Sequence, residues 1–439
     1  MSLPRWKRYV YATIAAEISS FSRYYDRVIQ WKRHPGDTGF LLDCIEAPSK
    51  ENLPGDLDID LREERQQRTA VLLNGTFNYS LDIQELLAQL RNRSCRTTRI
   101  VAVVYNPYYS SIFRAASRAG IVAGLDPTTF TTYPDLRNIA RLSGFEMVRA
   151  RPAVYLPFRL LGLGSLVNRL MPLLPFVHHL GLVSIVTLRP IIQESRRPSI
   201  SIIVPARNER GNMQPLIDRL PDLGTETELL LVEGHSTDGT WEEIERVAAN
   251  GLPGGTIRTF RQEGVGKNDA VRLAISQATL DLVTILDADL SMPPELLTRF
   301  YDAYCAGMAD FINGSRLVYP MEGKAMRFLN RVANVFFAKA LSFTLDVRIT
   351  DSLCGTKLVA RHDLYRMQRW RSEFGDFDPF GDFELLFPAA VLGLGMVDVP
   401  IRYRARSYGQ TNIHRFRHGF LLLKMTALSL FRLKLGRVG

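Results

Sequence analysis

The chain has 439 residues, of which 46% are hydrophobic and 23% are charged. This length favours two domains over one core, and the composition excludes wholesale disorder, a collagen-like fibre and a coiled-coil rod. The formal net charge is +10, and it is concentrated at one end, because residues 399–439 carry nine Lys or Arg and no Asp or Glu. Such a tail favours an anionic partner.

The four cysteines, Cys44, Cys95, Cys305 and Cys354, form no Cys-x-x-Cys pair. Their spacing predicts neither a zinc site nor a disulfide framework, and it favours a reducing compartment. The first 21 residues contain four charged side chains and lack the apolar core of a signal peptide. We therefore expect a cytoplasmic protein.

Two apolar stretches are too interrupted to span a bilayer, which takes about 20 largely uncharged residues. Residues 154–192 contain Arg159 and Arg169 and are predicted to be amphipathic or core material. Residues 420–431 are short and contain Lys424. They leave two alternatives open, a helix lying on a membrane surface or a helix packed back on its domain.

Residues 1–192 predict a first α/β domain. The expected elements are, in chain order, a strand over 40–46, a loop over 46–67, a strand over 71–73, a helix over 83–90, a strand over 99–105 and a helix over 133–142.

A polar break that ends in proline, residues 193–198, is the expected linker to a second domain. Beyond it, short β-branched runs alternate with helical patterns; the runs are residues 201–204, 229–232 and 282–286. Polar or glycine-containing residues follow each run. This pattern predicts a parallel sheet covered by helices, with functional loops at the carboxyl ends of the strands.

Asp287 and Asp289 come directly after the last of these runs. Two carboxylates one residue apart at a strand end can approach one divalent ion, and Mg²⁺ or Mn²⁺ favours such ligands when a diphosphate supplies the others. Asp-x-Asp also occurs in solvated turns, so the pair alone does not distinguish a metal site from such a turn. Three further polar loops are expected at the same edge of the sheet: residues 205–209, 233–240 and 264–270. Together with Asp287 and Asp289 they predict a nucleotide-binding site along that edge.

Residues 199–418 resemble the family 2 glycosyltransferases of GT-A fold, in the branch of the dolichol-phosphate mannosyltransferases. The motifs that carry the resemblance are Ile-Val-Pro-Ala-Arg-Asn-Glu at 203–209, Ser-Thr-Asp-Gly-Thr at 236–240, Gly-Lys-x-Asp-Ala at 266–270, Asp-Ala-Asp-Leu at 287–290, Gly-Ser-Arg at 314–316, Asp-x-x-Cys-Gly at 351–355 and Val-Pro-Ile at 399–401. The resemblance implies a nucleotide-diphospho-sugar donor and an inverting transfer.

The resemblance also implies roles for single residues. The residues expected to bind the nucleotide-sugar are Pro205, Arg207, Glu209, Glu233, Ser236, Lys267 and Asp287. Asp287 and Asp289 would hold Mg²⁺ or Mn²⁺, and Arg316 and Arg406 would contact phosphates. Three positions depart from the family pattern: Gly234 replaces a frequent acid, Ser291 a glutamine metal ligand, and Asn412 a lysine. The last departure weakens the analogy with a phosphate acceptor.

The acceptor side leaves two alternatives open. A hydroxyl acceptor, such as a glycan, needs a general base, and the candidates are Asp382 and Glu384, which serve equally well as charges at a helix start. A polyprenyl phosphate is already anionic and needs no base. Asp351 is either an acceptor-side residue or one that fixes its loop.

The basic amphipathic tail, expected over residues 419–439, suits an anionic membrane surface or the phosphate of an acceptor. No nucleic-acid-binding module accompanies this charge, so a nucleic-acid partner is excluded. We expect a peripheral protein at the cytoplasmic face of the membrane. The alternative to a metal-dependent glycosyltransferase is a catalytically weak scaffold recruited to membranes, and the presence of Asp287, Asp289 and Lys267 favours the enzyme.

Residues 66–190 resemble the later part of class I S-adenosylmethionine-dependent methyltransferases. The segments that carry this resemblance are residues 71–80, 101–107 and 144–146. The resemblance implies a partial Rossmann-like sheet. No glycine cluster follows residues 40–46, where such enzymes bind their cofactor. We therefore expect residues 1–192 to form a degenerate, non-catalytic domain that scaffolds, dimerises or positions an acceptor.

Overall fold

The computed structural model describes residues 3–31, 37–53, 60–64, 66–121, 126–174, 177–320, 328–374, 378, 381–404, 408 and 415–435. The chain forms two compact units. Unit 1 comprises Met1–Ile192, Val391–Gly393 and Leu430–Gly439, and unit 2 comprises Gln193–Ala390 and Leu394–Ser429. Each unit has its own sheet and its own hydrophobic core.

Unit 1 is built from six strands and seven α-helices among its described residues. The strands are β1 (Arg27–Trp31), β2 (Lys50–Leu53), β3 (Thr69–Asn74), β4 (Arg99–Tyr105), β5 (Phe145–Ala153) and β6 (Val183–Pro190). The helices are α1 (Arg5–Ser22), α2 (Phe40–Cys44), α3 (Thr76–Tyr79), α4 (Ile83–Asn92), α5 (Ser110–Arg118), α6 (Tyr133–Leu142) and α7 (Leu163–Leu170).

The sheet of unit 1 has the strand order β2-β1-β3-β4-β6-β5. The first four strands are parallel, and β6 runs antiparallel to both of its neighbours. All six residues of β3 are buried, as expected for a central parallel strand covered on both faces. The side chain of Asp82 caps α4 by accepting a hydrogen bond from the backbone nitrogen of Glu85 at 2.9 Å.

The predicted strands at 71–73 and 99–105 and the predicted helices at 83–90 and 133–142 are confirmed. Two other predictions for unit 1 are wrong. Residues 40–44 form helix α2, whose single turn buries Leu41 and Leu42, so the first strand of the sheet is β1. Strand β2 lies inside the predicted loop over 46–67, because this exposed edge strand has no apolar alternation to reveal it.

Unit 2 contains seven strands and eight α-helices among its described residues. The strands are β7 (Ile200–Ala206), β8 (Thr227–Glu233), β9 (Gly255–Arg261), β10 (Leu282–Ile285), β11 (Phe311–Ser315), β12 (Lys357–Ala360) and β13 (Met396–Pro400). The helices are α8 (Met213–Asp218), α9 (Thr240–Asn250), α10 (Lys267–Gln277), α11 (Leu297–Cys305), α12 (Phe328–Leu345), α13 (Arg361–Phe374), α14 (Phe383–Val391) and α15 (Arg415–Ser429).

The sheet of unit 2 has the strand order β13-β11-β12-β10-β7-β8-β9. Neighbouring strands are parallel except at β12, which runs antiparallel to β10 and β11. The carboxyl ends of β7, β8 and β10 therefore share one edge, and the first residue of β12 lies at that same edge. The predicted α/β fold class, with a parallel sheet and loops at its carboxyl edge, is confirmed.

Helix α15 packs against α12 and buries Leu422 and Met425, whereas Phe420 and Leu423 stay exposed. The predicted apolar stretch over 420–431 therefore has one face on its domain and another face open. Within the described ranges, no helix has the length and apolar character needed to cross a membrane.

Glu228 on β8 joins three elements of unit 2. Its carboxylate accepts hydrogen bonds from Ser201 Oγ at 2.6 Å, from the backbone nitrogen of Thr279 at 2.7 Å and from Arg258 Nη1 at 3.3 Å. Burial alone raises the pKa of Glu228, but these hydrogen bonds outweigh it, and the net pKa is lowered. The ionised carboxylate therefore stabilises the folded state.

We expect Glu228→Gln to lower the free energy of unfolding at neutral pH by about 1.5–3 kcal/mol, the usual contribution of hydrogen bonds to a charged group. A carboxyl whose pKa is lowered by folding stabilises the protein above its unfolded pKa, about 4.3 for Glu, and this contribution is lost as the pH falls through the folded pKa. The difference between the variant and the wild type should therefore shrink in acid.

Urea unfolding over a pH series measures this effect. Glu226→Gln is the matched control, because Glu226 is exposed and lies two residues away on the same chain segment. A destabilisation by Glu228→Gln that is the same at every pH would contradict the assignment.

Candidate functional site

The loops after β7 and β8 are fastened to each other by hydrogen bonds. The backbone nitrogen of Asn208 donates to Ser236 Oγ at 3.0 Å, and the backbone nitrogen of Thr237 donates to Asn208 Oδ1 at 2.9 Å. The backbone nitrogen of Glu209 donates to Thr240 Oγ1 at 3.0 Å. The two loops thus form one rigid wall at the carboxyl edge of the sheet.

Five of the residues predicted to bind the nucleotide-sugar lie in this wall. Glu209 and Glu233 are buried, and their carboxylates accept hydrogen bonds from Asn212 Nδ2 at 2.6 Å and from the backbone nitrogen of Ser236 at 2.5 Å. Pro205 is partly buried and Arg207 is exposed. The structure therefore brings the five together, with the two acids engaged in holding the loops.

Three residues at this edge have left-handed backbone conformations although they are not glycine. They are Asn208 (φ 56°), His235 (φ 58°) and Leu290 (φ 56°), one after each of β7, β8 and β10. Such conformations cost about 1–2 kcal/mol for a side-chain-bearing residue and concentrate where a site needs a sharp turn. The turn at Leu290 allows Asp289 Oδ1 to accept a hydrogen bond from the backbone nitrogen of Ser291 at 3.0 Å.

Asp287 and Lys267 form an ion pair, with side chains 28% and 37% exposed. Lys267 is the first residue of α10, and Asp287 follows β10. Burial disfavours both charges, but the neighbouring Asp287 and Asp382 carboxylates raise the pKa of Lys267, and the Lys267 ammonium lowers the pKa of Asp287. Both groups are therefore charged at neutral pH and within reach of solvent.

Gly355 lies against this ion pair. A Cβ atom at that position would come within 2.3 Å of Lys267 Nζ and 2.5 Å of Asp287 Oδ2. No side chain fits there without displacing the pair. The glycine in the Asp-x-x-Cys-Gly motif therefore lets the backbone approach these two charges closely.

Lys357 is a site residue that the sequence analysis missed. It is the first residue of β12 and lies opposite Ile285 of β10 and Asn313 of β11. Its side chain is 1% exposed, and its ammonium donates to the carboxylate of Asp382 and to the backbone carbonyl oxygen of Cys354. The positive charge of Lys357 also contributes to the lowered pKa of Asp287.

Arg316 and Asp351 form a second buried pair. The guanidinium donates to the two carboxylate oxygens at 2.7 and 2.9 Å, and the backbone nitrogens of Arg316 and Leu353 each donate to Asp351 at 3.1 Å. Burial raises the pKa of Asp351, but Arg316 outweighs it and lowers that pKa. The contacts of Asp351 are those of a residue that fixes its loop and holds Arg316.

Asp382 and Glu384 have different surroundings. Asp382 contacts Lys357, whereas Glu384 accepts hydrogen bonds from Arg272 Nε at 3.0 Å and forms an ion pair with Arg371 Nε at 3.2 Å. Neither acid is the side-chain cap of α14: Asp378 accepts the hydrogen bonds from the first backbone nitrogens of that helix. Arg406, the other arginine expected to contact phosphates, lies outside the described residues.

Among the described residues, no cluster of three or more His, Cys, Asp or Glu side chains is placed to hold a metal ion. Asp287 and Asp289 follow β10 one residue apart, and Ser291 donates hydrogen bonds to Asp289 from both its backbone nitrogen and its Oγ. A divalent ion held by this pair would need further ligands, such as the oxygens of a bound diphosphate.

Residues 201–366 match the model of the family described as Glycosyl transferase family 2. The chain is 29% identical over 223 residues to the dolichyl-phosphate hexose transferase of Haloferax volcanii. This alignment covers 50% of this chain and 89% of that protein. The chain is 26% identical over 241 residues to the dolichol-phosphate mannosyltransferase of Pyrococcus furiosus, covering 51% of this chain and 64% of that protein, less than two thirds of its length.

Among solved structures, the glucosyl-3-phosphoglycerate synthase of Mycobacterium tuberculosis, in complex with Mn²⁺, UDP and glucosyl-3-phosphoglycerate, aligns with 18% identity and a TM-score of 0.38. The alignment covers 54% of this chain and 80% of that one. Residues 201–366 are therefore similar to glycosyltransferases of family 2, and both relatives are named as sugar transferases that act on dolichyl or dolichol phosphate.

Proposed function

We propose that the protein transfers a sugar from a nucleotide-diphospho-sugar to a polyprenyl phosphate, with inversion at the anomeric carbon and with the help of a divalent metal ion. The observation that carries the proposal is the cluster of charges at the carboxyl edge of the sheet in unit 2. Asp287 there is held by Lys267, and Lys357 and Arg316 contribute to keeping it ionised. The acceptor is suggested by the two relatives, whose names describe dolichyl-phosphate transferases.

The charge balance of the cluster supports a metal. Lys267, Lys357 and Arg316 face four carboxylates, those of Asp287, Asp289, Asp351 and Asp382, which leaves one net negative formal charge. A diphosphate would be repelled by such a site. One Mg²⁺ or Mn²⁺ at Asp287 and Asp289 reverses the sign of the charge, and when bound it draws electron density from the departing diphosphate.

The other residues of the cluster have distinct tasks in this proposal. Lys267 and Arg316 stabilise the charge that develops on the leaving phosphate oxygens, a role that preorganised cations fill without reorganisation. Asp351 orients Arg316 by its two-point contact. The loops after β7 and β8, with Pro205, Arg207, Glu209, Glu233 and Ser236, form the wall against which the nucleotide lies.

A membrane-bound acceptor is consistent with the open face of α15. Phe420 and Leu423 are exposed on that helix beside Lys424, a combination of apolar and basic side chains that suits the interface of an anionic bilayer. We infer that this face holds the enzyme at the cytoplasmic side of the membrane, where a polyprenyl phosphate presents its head group.

We expect Asp289→Ala to abolish turnover while leaving the fold intact. Asp289 is buried and accepts hydrogen bonds from the backbone nitrogen and the Oγ of Ser291, two residues along the same turn. Release of nucleotide diphosphate, measured over a panel of donors with Mn²⁺ or Mg²⁺ present, reports turnover, and thermal unfolding reports the fold.

The matched control is Asp302→Ala, which removes an exposed carboxylate paired with Arg197 on another part of the same unit. That variant should keep full turnover. Unchanged activity in Asp289→Ala would move the metal site elsewhere and contradict the proposal.

Asp382→Asn separates the two acceptor classes. General base catalysis contributes about 10²–10⁴-fold where a proton must be removed, and an ionised phosphate acceptor has no such proton. With undecaprenyl phosphate as acceptor, we expect the variant to keep its rate to within about tenfold, since no proton transfer is lost. Initial rates with that acceptor are the measurement.

Glu384→Gln is the matched control, because it removes an acid two residues away that contacts Arg272 and Arg371. Thermal unfolding of both variants is recorded, since Asp382→Asn leaves the buried Lys357 without its carboxylate. A loss of more than about 100-fold with undecaprenyl phosphate in a folded Asp382→Asn variant would contradict the proposal, because it gives Asp382 no proton to remove from this acceptor.

We also propose that unit 1 does not use S-adenosylmethionine. At the edge where β1 and β3 end, the carboxylate of Asp37 accepts hydrogen bonds from Gln30 Nε2 at 2.5 Å and from Asn74 Nδ2 at 3.1 Å. The rings of Tyr105 and Phe113 stack with centroids 4.7 Å apart just beyond β4. Side chains of the unit itself therefore satisfy each other at the edge where a cofactor would bind.

Equilibrium binding of labelled S-adenosylmethionine to the purified full-length protein tests this role. We expect no saturable binding at concentrations that saturate an active methyltransferase measured in parallel. Tight binding would show that the edge of unit 1 is open to the cofactor and would overturn the assignment of a non-catalytic domain.

A further inference from the structure

Unit 1 exposes an apolar surface that neither the fold nor the proposed reaction uses. It comprises residues 158–170, which we call the leucine tip. Its large exposed apolar side chains are Phe158, Leu160, Leu161, Leu163, Leu166 and Leu170. Leu161 is fully exposed. Single exposed leucines are ordinary, but six large apolar side chains within 13 residues form a contiguous patch of the kind that marks an interaction site.

The backbone of the leucine tip is strained in a way that holds its side chains outward. Leu160 (φ 40°) and Leu161 (φ 54°) are both left-handed, directly before Gly162. Each such leucine costs about 1–2 kcal/mol. The conformation therefore has to be imposed by the surrounding structure.

Asn168 imposes it. This side chain is buried, and its Oδ1 accepts hydrogen bonds from the backbone nitrogens of Tyr155 at 2.7 Å and Leu156 at 2.9 Å. Its Nδ2 donates to the carbonyl oxygen of Leu156 and to Tyr9 Oη, both at 3.0 Å. One side chain thus ties the two ends of the leucine tip to each other and to α1.

The charged residues within the leucine tip and next to it in the sequence are all positive. Residues 147–193 contain no Asp or Glu. Arg159 and Arg169 are exposed within the tip. Beside it, on α1, the ring of Trp6 lies 6.5 Å from the ring of Phe158, and the ammonium of Lys7 lies over the Trp6 ring at 5.6 Å.

From this combination we infer that the leucine tip docks into the surface of a membrane that carries anionic lipids. Leucines on a rigid protrusion enter the apolar layer, while arginine, lysine and tryptophan side chains favour the head-group region. A second copy of the chain fits less well, because a two-fold contact places the same patch on both sides and brings the arginines of the two copies together. The inference does not depend on the proposed transfer reaction, since the tip contains none of the residues assigned to it.

The test is flotation of the full-length protein with vesicles of phosphatidylcholine alone and with vesicles that also contain phosphatidylglycerol. The decisive variant carries Leu160→Asn and Leu161→Asn. Asparagine tolerates the left-handed conformation better than leucine, so the unfolding temperature should stay unchanged or rise. Binding to the anionic vesicles should fall at least about tenfold, because two apolar side chains no longer leave water.

Leu81→Asn is the matched control, because Leu81 is 90% exposed but lies outside the tip, and it should bind vesicles like the wild type. Arg159→Gln with Arg169→Gln should weaken binding to the anionic vesicles only. Unchanged flotation of the Leu160→Asn and Leu161→Asn variant would overturn the inference. So would a wild-type oligomer that this variant dissociates without loss of vesicle binding, because the tip would then be a contact between copies.

The outcome is independent of the reaction. Nucleotide diphosphate release with a water-soluble short-chain acceptor should be equal in the wild type and the tip variants. If the tip variant loses vesicle binding but releases nucleotide diphosphate at the wild-type rate, the membrane inference is supported. If the wild type itself releases no nucleotide diphosphate, only the proposed transfer reaction is contradicted.

Discussion

The ion pair between Lys267 and Asp287 is the interaction around which the site of unit 2 is built. It joins the start of α10 to the loop after β10 and leaves no room for a side chain at residue 355. The loop of residues 351–355 passes close to these two charges, and it also holds Arg316 through Asp351. One loop therefore contacts both ion pairs of the site.

The cations of this site remain close together because each has its own carboxylate. Lys357 is almost wholly buried, and an unpaired ammonium in that position would be strongly destabilising. Asp382 removes this penalty, as Asp351 does for Arg316. Three positive charges can therefore lie at one edge of the sheet before any ligand binds, because each is paired with one carboxylate.

The sequence predicts β7, β8 and β10 and the loops that follow them because a central parallel strand must be apolar throughout, and its polar residues begin where it ends. This reasoning finds Asp287, Asp289 and the loops after β7 and β8. It cannot find Lys357, because β12 is antiparallel and brings its first residue to the edge where its neighbours end. The direction of a strand is set by its pairing with neighbouring strands. It cannot be predicted from the four residues of β12 alone.

The errors in unit 1 have the same origin in tertiary context. Residues 40–44 bury Leu41 and Leu42, and either a strand or a single helical turn could bury these side chains. The helical turn is preceded by Gly39, whose backbone is left-handed. Residues 154–192 are apolar, so the sequence predicts core or amphipathic material. The structure confirms both, since β6 is buried and α7 is amphipathic, but it also exposes eight large apolar side chains of this stretch, six of them in the leucine tip.

The strained residues at the sheet edge of unit 2 and Leu161 in the leucine tip differ in what compensates them. Leu290 is buried in the core of unit 2, Asn208 Oδ1 accepts a hydrogen bond from Thr237, and His235 Nε2 lies 2.8 Å from the carbonyl oxygen of Gly264. Each of these three left-handed conformations is offset by a contact of the residue itself. Leu161 in unit 1 is fully exposed, so its side chain gains nothing from burial within the chain. A strained apolar residue held in water raises the free energy of the folded state twice, through its backbone and through its surface. Entry of the side chain into a bilayer removes the second of these costs.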